Sequence, residues 1–137
     1  MIKYVEVRIM EKTIKILMVD DEEDFTQPMA FWFKTKGYEV SVANNGETAL
    51  EKIKTVKPDI VFLDLNMPVM DGFETLKRIR KIDKSLPVIV ISAYADPEKL
   101  KQMQPYAISG VFYKGSDFEE GATLIESVLR THKKLKK

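Results

Sequence analysis

Five polar residues of this 137-residue sequence stand where runs of apolar residues end. They are Asp20, Asp21, Asp64, Ser92 and Lys114. Each run has the composition of a buried β-strand, and the carboxyl ends of parallel strands meet at one edge of a sheet. Carboxylates, a hydroxyl and an ammonium group at that edge are suited to holding a metal ion and a phosphoryl group. The positions of these residues therefore predict a site for phosphate chemistry.

The three carboxylates of this set indicate a bound cation. Asp20, Asp21 and Asp64 would repel one another at neighbouring strand ends unless a cation balances their charge. Oxygen ligands with room for water suit Mg²⁺ better than a softer metal, and Mg²⁺ in such sites takes phosphate oxygens as further ligands. We interpret the acids that follow, residues 22–24, as helix-start residues that complement the helix dipole and not as ligands.

Lys114 and Ser92 supply groups that can hold phosphoryl oxygens. The Lys114 ammonium can pair with Asp64 in the unmodified site and with a phosphoryl oxygen afterwards. The Ser92 hydroxyl can donate to another oxygen, although a serine at a strand end often caps the next turn instead. Phosphoryl transfer depends mainly on positioning and charge neutralisation, so this set suffices without a histidine base.

Alternating strand and helix patterns place these residues. The predicted strands are Ile14 to Val19, Tyr38 to Ala43, Ile60 to Leu63, Val88 to Ile91 and Val111 to Tyr113. The predicted helices are about Asp24 to Lys36, Gly46 to Thr55, Phe73 to Ile82, a short helix that opens at Asp96-Pro97 and is ended by Pro105, and Phe118 to Thr131. Such alternation indicates an α/β domain, with a parallel sheet between helices on both faces. The second strand is less apolar and is expected at an edge of the sheet.

Two helices carry more specific expectations. Pro28 is expected in the first turn of the first helix or at a kink, because proline lacks the N–H that a helix interior requires. In the third helix, apolar and basic residues fall on opposite faces. The expected core stripe is Phe73, Leu76, Ile79 and Ile82, and the residues expected to face water are Lys77, Arg78, Arg80 and Lys81.

Composition favours one compact domain in a reducing compartment. The chain is 45% hydrophobic and 31% charged, which suits a single core at this length. It contains 0 cysteines, which excludes disulfides and thiolate metal ligands, and its net charge of +1 indicates no basic surface for nucleic acid. No apolar stretch approaches the ~20 residues of a membrane span, and the charged N-terminus is unlike a signal peptide. The expected location is cytoplasmic.

The ordered motifs resemble the receiver domain of two-component response regulators, the CheY-like family. The matching segments are Val19-Asp20-Asp21-Glu22, Leu63-Asp64-Leu65-Asn66-Met67-Pro68 with Asp71-Gly72, Ser92-Ala93 and Lys114. The resemblance extends from about Ile14 to the end of the chain. It implies a flavodoxin-like fold, a doubly wound five-stranded parallel sheet in strand order 2-1-3-4-5.

The resemblance also implies roles for the site residues. Asp64 would be the phospho-acceptor. The Mg²⁺ ligands would be Asp21, Asp64 and the Asn66 carbonyl directly and Asp20 through water, and the groups that hold the phosphoryl group would be Ser92 and Lys114. The implied donor is a phosphohistidine on a sensor histidine kinase or histidine phosphotransfer protein, and the implied output partner is another protein. The implied class is a signalling protein and not an enzyme.

Two positions depart from the family pattern. Gly115 follows Lys114, where the family usually has proline, commonly with a cis bond. A cis bond before any other residue costs about 2.5 to 4 kcal/mol, so the geometry of the Lys114–Gly115 bond stays open. Val111 stands where the family usually has Tyr or Phe and lacks the ring that the family couples to movement of the hydroxyl.

Three segments are expected along the chain. Residues 14–132 would form the receiver domain, between an N-terminal extension of residues 1–13 and a basic tail of residues 133–137. In the extension, Val5, Val7 and Ile9 alternate with charged residues and could add an edge strand, or Met10 could be the original start.

Two functions are compatible with the motifs. The leading hypothesis is a single-domain response regulator, or a receiver excised from a larger regulator, that is switched by phosphorylation of Asp64. The alternative is a small Mg²⁺-dependent phosphatase or phosphotransferase that uses Asp64 as a transient nucleophile. Such enzymes generally need an acid-base residue beside the nucleophile and a cap over the substrate, and the sequence indicates neither.

Overall fold

The computed structural model describes residues 13–94 and 96–132. Within them, strands and helices alternate as β1 Lys15–Val19, α1 Glu23–Thr35, β2 Glu39–Ala43, α2 Gly46–Val56, β3 Ile60–Asp64, α3 Gly72–Ile82, β4 Val88–Ser92, α4 Pro97–Met103, β5 Gly110–Tyr113 and α5 Phe118–Thr131. A 3₁₀ turn, Gln104–Tyr106, follows α4. These bounds agree closely with the sequence prediction. Nearly all of the predicted extension, including its possible strand, and the whole predicted tail lie outside the described residues.

All five strands are parallel and lie in the order β2-β1-β3-β4-β5. The predicted strand order is confirmed, and β2 lies at an edge as expected. In register, Asp64 lies opposite Ile91 and Ser92 lies opposite Tyr113. Because the strands run in one direction, their carboxyl ends all open at the same edge of the sheet.

The core has one layer on each face of the sheet. Between the sheet and helices α2, α3 and α4 lie Leu17, Val19, Val61, Leu63, Val88 and Val90 with Ala49, Ile53, Leu76, Ile79 and Met103. Between the sheet and helices α1 and α5 lie Ile16, Met18, Ile60, Phe62, Ile89 and Ile91 with Met29, Phe33, Ile125 and Leu129. Successive side chains of a strand point to opposite faces, and here both faces are covered. This is why the central strands are apolar without interruption.

Helix α1 continues through Pro28. It begins at Glu23, so Pro28 lies beyond the first turn, which was one of the two predicted alternatives. The proline side chain is exposed, and the helix lacks the hydrogen bond that an N–H at this position would donate. Gly37 follows the helix with φ of 99°, a conformation that favours glycine and that ends the helix.

The apolar stripe predicted for α3 is confirmed in its centre and wrong at its end. Leu76 and Ile79 are fully buried, whereas Ile82 is 42% exposed. Phe73 is partly buried and packs against the ring of Tyr106 in a T-shaped arrangement, with centroids 5.6 Å apart. Ile82 is the last residue of the helix, where the sheet no longer covers the stripe.

Arg80 also differs from the sequence prediction, which placed it facing water. Its guanidinium donates hydrogen bonds to the carbonyl oxygens of Asp83, Leu86, Tyr106 and Ala107 at 2.7 to 3.1 Å. These carbonyls belong to the segments that lead into β4 and β5. A planar cation with several N–H donors can satisfy all of them at once, which lysine cannot do.

We expect Arg80→Ala to lower the free energy of unfolding by about 2 to 4 kcal/mol, because it leaves several partly buried carbonyls without a partner. Arg78→Ala is the matched control. Arg78 is 51% exposed and pairs with Glu74 one turn away, so its loss should cost about 0.5 kcal/mol or less. Urea denaturation of both variants measures the difference. Equal effects of the two substitutions would show that the Arg80 network does not stabilise these segments.

Candidate functional site

The carboxyl edge of the sheet brings together the acidic residues predicted from the sequence. Asp20 follows β1, Asp64 is the last residue of β3, and Asp21 is exposed beside them. Each of the three offers a carboxylate oxygen, and these oxygens lie within 4.8 Å of one another. Asp20 and Asp64 are only 1% and 3% exposed. Two carboxylates are therefore held in a nearly dry pocket, and a third lies at its mouth.

Backbone hydrogen bonds orient the two buried carboxylates. Asp20 Oδ1 accepts from the N–H of Glu22 at 2.9 Å, and Asp64 Oδ1 accepts from the N–H of Asn66 at 3.2 Å. The other oxygen of each carboxylate faces Lys114, whose Nζ lies 3.0 Å from Asp20 Oδ2 and 3.7 Å from Asp64 Oδ2. Asp20 Oδ2 is buried and has no hydrogen bond of good geometry among the described residues, so its contact with Lys114 is ionic.

The electrostatics of the pocket favour a further positive charge. Burial raises the pKa of Asp64 to about 7, and the neighbouring Asp20 carboxylate acts in the same direction. The Asn66 N–H and the Lys114 ammonium lower the pKa of Asp64, but they only partly offset burial. A divalent cation among the three carboxylates would favour their ionised forms. The grouped oxygens and the unsatisfied Asp20 Oδ2 thus fit a cation site.

Lys114 contacts more groups than the sequence predicted. Besides Asp20 and Asp64, its ammonium contacts Glu22 Oε1 and lies 5.0 Å from the centroid of the Phe25 ring. Burial alone would lower the pKa of Lys114, but the contacts with Glu22 and Asp20 and the charge of Asp64 outweigh burial and raise it. Lys114 is therefore a fully charged cation at neutral pH.

Glu22 lies at the start of α1, as predicted, and its side chain also makes a contact that the sequence did not predict. It is the N-cap residue of α1, yet its side chain accepts no capping hydrogen bond from the described residues and instead reaches Lys114. The two residues are 92 positions apart, so no local sequence signal could have indicated their contact.

The turn after Lys114 does not depend on a cis bond. None of the described peptide bonds is cis, so the Lys114–Gly115 bond is trans. Gly115 has φ of 96°, in the region that side chains with a Cβ rarely adopt. Glycine at this position therefore lets the chain turn sharply towards α5 where the family usually has proline.

The side chains of Ser92 and Asn66 form hydrogen bonds with groups other than the three aspartates and Lys114. The Ser92 hydroxyl, which is buried, donates to the carbonyl oxygen of Tyr94, as a serine that caps a turn would do. The exposed Asn66 side chain accepts a hydrogen bond from Lys99 Nζ at 3.0 Å. Lys99 lies in α4, and sequence reasoning missed it because a separation of 33 residues leaves no pattern.

A close backbone approach shapes the loop after Asp64. A Cβ on Gly72 would overlap the carbonyl oxygen of Asp64 and would lie 2.7 Å from Leu65 Cα. Asp71 begins α3 by accepting a hydrogen bond from the N–H of Glu74 at 2.8 Å. The Asp71-Gly72 pair thus starts α3 directly against the strand end that carries Asp64.

Val111 lines a surface groove, and it has no aromatic ring that could act as a switch. The groove has a volume of about 410 Å³ and is lined by Pro97, Leu100, Lys101, Gln104, Ala107, Ile108 and Val111. It lies between α4 and β5.

Comparison with known proteins identifies the family. Residues 16–126 match the family model described as the response regulator receiver domain. Sporulation initiation phosphotransferase F of Bacillus subtilis strain 168 is 35% identical over 106 residues, which are 77% of this chain and 86% of that protein. Regulatory protein AtoC of Escherichia coli strain K12 is 34% identical over 116 residues, which are 85% of this chain and 25% of that protein. The chain belongs to the response regulator receiver domain family, as its motifs predicted.

Solved structures show the same fold. Chemotaxis protein CheY4 of Vibrio cholerae superposes with a TM-score of 0.82 and 31% identity, covering 86% of this chain and 100% of that one. The receiver domain of NtrX from Brucella abortus has a TM-score of 0.79 and 29% identity, covering 85% of this chain and 98% of that one.

The chain spans about a quarter of the length of some curated relatives, 25% of AtoC and 23% of a methylesterase of Bacillus licheniformis. Helices in the described part of the chain lack the combined length and apolarity needed to cross a membrane.

Proposed function

We propose that this domain accepts a phosphoryl group on Asp64 with the help of Mg²⁺ and thereby switches a surface that contacts another protein. The observation that carries the proposal is the grouping of carboxylate oxygens from Asp20, Asp21 and Asp64 within 4.8 Å, beside the Lys114 ammonium. This grouping combines an anionic nucleophile, oxygen ligands for a hard cation and a positive charge for the incoming phosphate.

In the proposed reaction, Asp64 Oδ2 is the nucleophile. Its partner oxygen Oδ1 is held by the Asn66 N–H, which leaves Oδ2 directed into the pocket. Asp64 Oδ2 forms a bond to phosphorus while the bond from phosphorus to the donor breaks, and the donor leaves with the bonding electron pair. Asp64 must be ionised to attack, and burial together with the Asp20 charge opposes this, because the pKa of Asp64 is raised to about 7. Bound Mg²⁺ would favour the carboxylate and neutralise the phosphoryl oxygens.

The remaining residues would position these groups. Asp21, Asp64 and the Asn66 carbonyl would ligate Mg²⁺ directly, and Asp20 would act through water. Lys114 would move from its present contacts to a phosphoryl oxygen. The Ser92 hydroxyl would rotate from the Tyr94 carbonyl to donate to another phosphoryl oxygen, a change that single-bond rotation allows.

We infer the partners from the family. The donor would be a phosphohistidine on a sensor histidine kinase or a histidine phosphotransfer protein, and the location would be cytoplasmic. The output would be a protein contact on the surface formed by α4, β5 and α5, with no nucleic acid bound by this chain alone. Ser92 ends β4 and Lys114 follows β5, and the next helices along the chain are α4 and α5, so new bonds at the phosphoryl group would displace these helices most directly. The groove beside Val111 lies on this surface.

Incubation with acetyl phosphate and Mg²⁺ tests the proposal. Intact mass spectrometry should show one added phosphoryl group that hydroxylamine removes, as expected for an acyl phosphate, and a chelator should prevent its formation. Unchanged mass in the presence of Mg²⁺ and acetyl phosphate would contradict the proposal. Sustained turnover of a generic phosphate ester such as para-nitrophenyl phosphate would instead favour the phosphatase alternative.

A further inference from the structure

The Lys114 ammonium lies on the α1 side of the acidic pocket in the unmodified protein. It contacts Glu22 Oε1 and lies 3.0 Å from Asp20 Oδ2 and 3.7 Å from Asp64 Oδ2. The Lys114 ammonium, which is best placed to hold a phosphoryl group, thus also contacts Glu22, a residue outside the group of three aspartates.

The start of α1 holds Glu22 in place for this contact. The Glu22 N–H donates to Asp20 Oδ1 at 2.9 Å, and its carbonyl oxygen accepts from the N–H groups of Phe25 and Thr26 at 3.1 and 3.0 Å. The side chain therefore extends from a fixed backbone. On the same side, the Phe25 ring lies 5.0 Å from Lys114 Nζ, a distance that permits a cation–π interaction. Glu22 and Phe25 thus add contacts from the start of α1 to an ammonium that also lies 3.7 Å from Asp64 Oδ2.

We propose that Glu22 is a positioning residue that holds Lys114 at the start of α1 and competes for it with the phosphoryl group on Asp64. The inference rests on the proposed function. A phosphoryl group brings about −1.5 to −2 charges at pH 7, so it attracts the ammonium more strongly than a single carboxylate does. When Lys114 moves, Glu22 remains as an additional negative charge beside the phosphoryl group. Both effects lower the affinity of the site for the phosphoryl group.

The exposure of Glu22 makes this competition reversible. Its side chain is 61% exposed, whereas that of Asp20 is fully buried. Water can solvate the Glu22 carboxylate after Lys114 leaves, so the lost ion pair costs little. Water does not reach the buried Asp20 carboxylate in this way, so Asp20 still requires a nearby positive charge. Modification of Asp64 would accordingly release the contact between β5 and the start of α1.

Binding of beryllofluoride, a phosphoryl mimic, tests the inference at saturating Mg²⁺. Glu22→Gln should bind the mimic about three- to tenfold more tightly than the parent, the range expected for a partly exposed charge pair. Glu23→Gln is the matched control, because Glu23 is the adjacent exposed acid and the change of charge is the same. Its affinity should equal that of the parent. In a Lys114→Met background, the effect of Glu22→Gln should be smaller, because the competition for Lys114 is gone and only the direct repulsion by Glu22 remains.

Two results would overturn the inference alone. One is equal beryllofluoride affinity in the parent and Glu22→Gln. The other is weaker binding of Mg²⁺, measured without beryllofluoride, in Glu22→Gln than in Glu23→Gln, because that would make Glu22 a metal ligand. A parent protein that binds Mg²⁺ but no beryllofluoride would overturn the proposed function itself, and the inference with it.

Discussion

Asp64→Asn is expected to take up no phosphoryl group from acetyl phosphate. The amide has neither the charge nor the nucleophilic oxygen of the carboxylate, and removing the nucleophile of a group transfer typically costs orders of magnitude in rate. The fold should persist, because asparagine has nearly the same shape and its side-chain oxygen can still accept the hydrogen bond from the Asn66 N–H. Intact mass spectrometry after incubation with acetyl phosphate and Mg²⁺ measures the loss.

Asp71→Asn provides the matched control. It makes the same chemical change in the same loop, at an exposed residue that begins α3, and asparagine is as good an N-cap as aspartate. This variant should take up the phosphoryl group as the parent does. Phosphoryl uptake that persists in Asp64→Asn, with the group mapped to another residue, would overturn the assignment of the acceptor.

Asp64→Asn is also expected to stabilise the protein at pH 8 in the absence of divalent cations. The pKa of Asp64 rises from the ordinary 3.8 to about 7 in the folded protein. The folded state therefore binds the proton more tightly than the unfolded state, and the stability due to Asp64 is lost as the pH rises through about 7. The corresponding free energy is at most about 4 kcal/mol, and Asp64→Asn is free of this loss because it does not titrate.

Urea denaturation of the parent and of Asp64→Asn at pH 4 and pH 8, in a chelator, measures this effect as a difference between variants. The gap in unfolding free energy should open as the pH rises, and Mg²⁺ should narrow it at pH 8 by stabilising the parent. Asp71→Asn should show no comparable gap. A difference in unfolding free energy that is constant with pH would mean that the pocket does not disfavour the ionised form of Asp64.

The fold could be predicted from the sequence because its signals are local. Runs such as Ile60 to Leu63 are apolar throughout because both faces of the central strands are covered, and the intervening periodic segments can only be crossover helices. The motif around Asp20, Asp21 and Asp64 then identified the family and with it the strand order. The grouping of these acids follows from topology alone, since parallel strands place their carboxyl ends at one edge.

Tertiary structure alone decided how the side chains around that edge are paired. Lys114 reaches Glu22 across 92 residues, and Asn66 accepts from Lys99 across 33 residues. Arg80, expected in water, lies against carbonyls 26 and 27 residues away. Such contacts depend on how helices pack and which rotamers that packing permits, and periodicity carries no information about either. The pKa of Asp64 is decided in the same way, because only the folded protein removes the carboxylate from water and places Asp20 beside it.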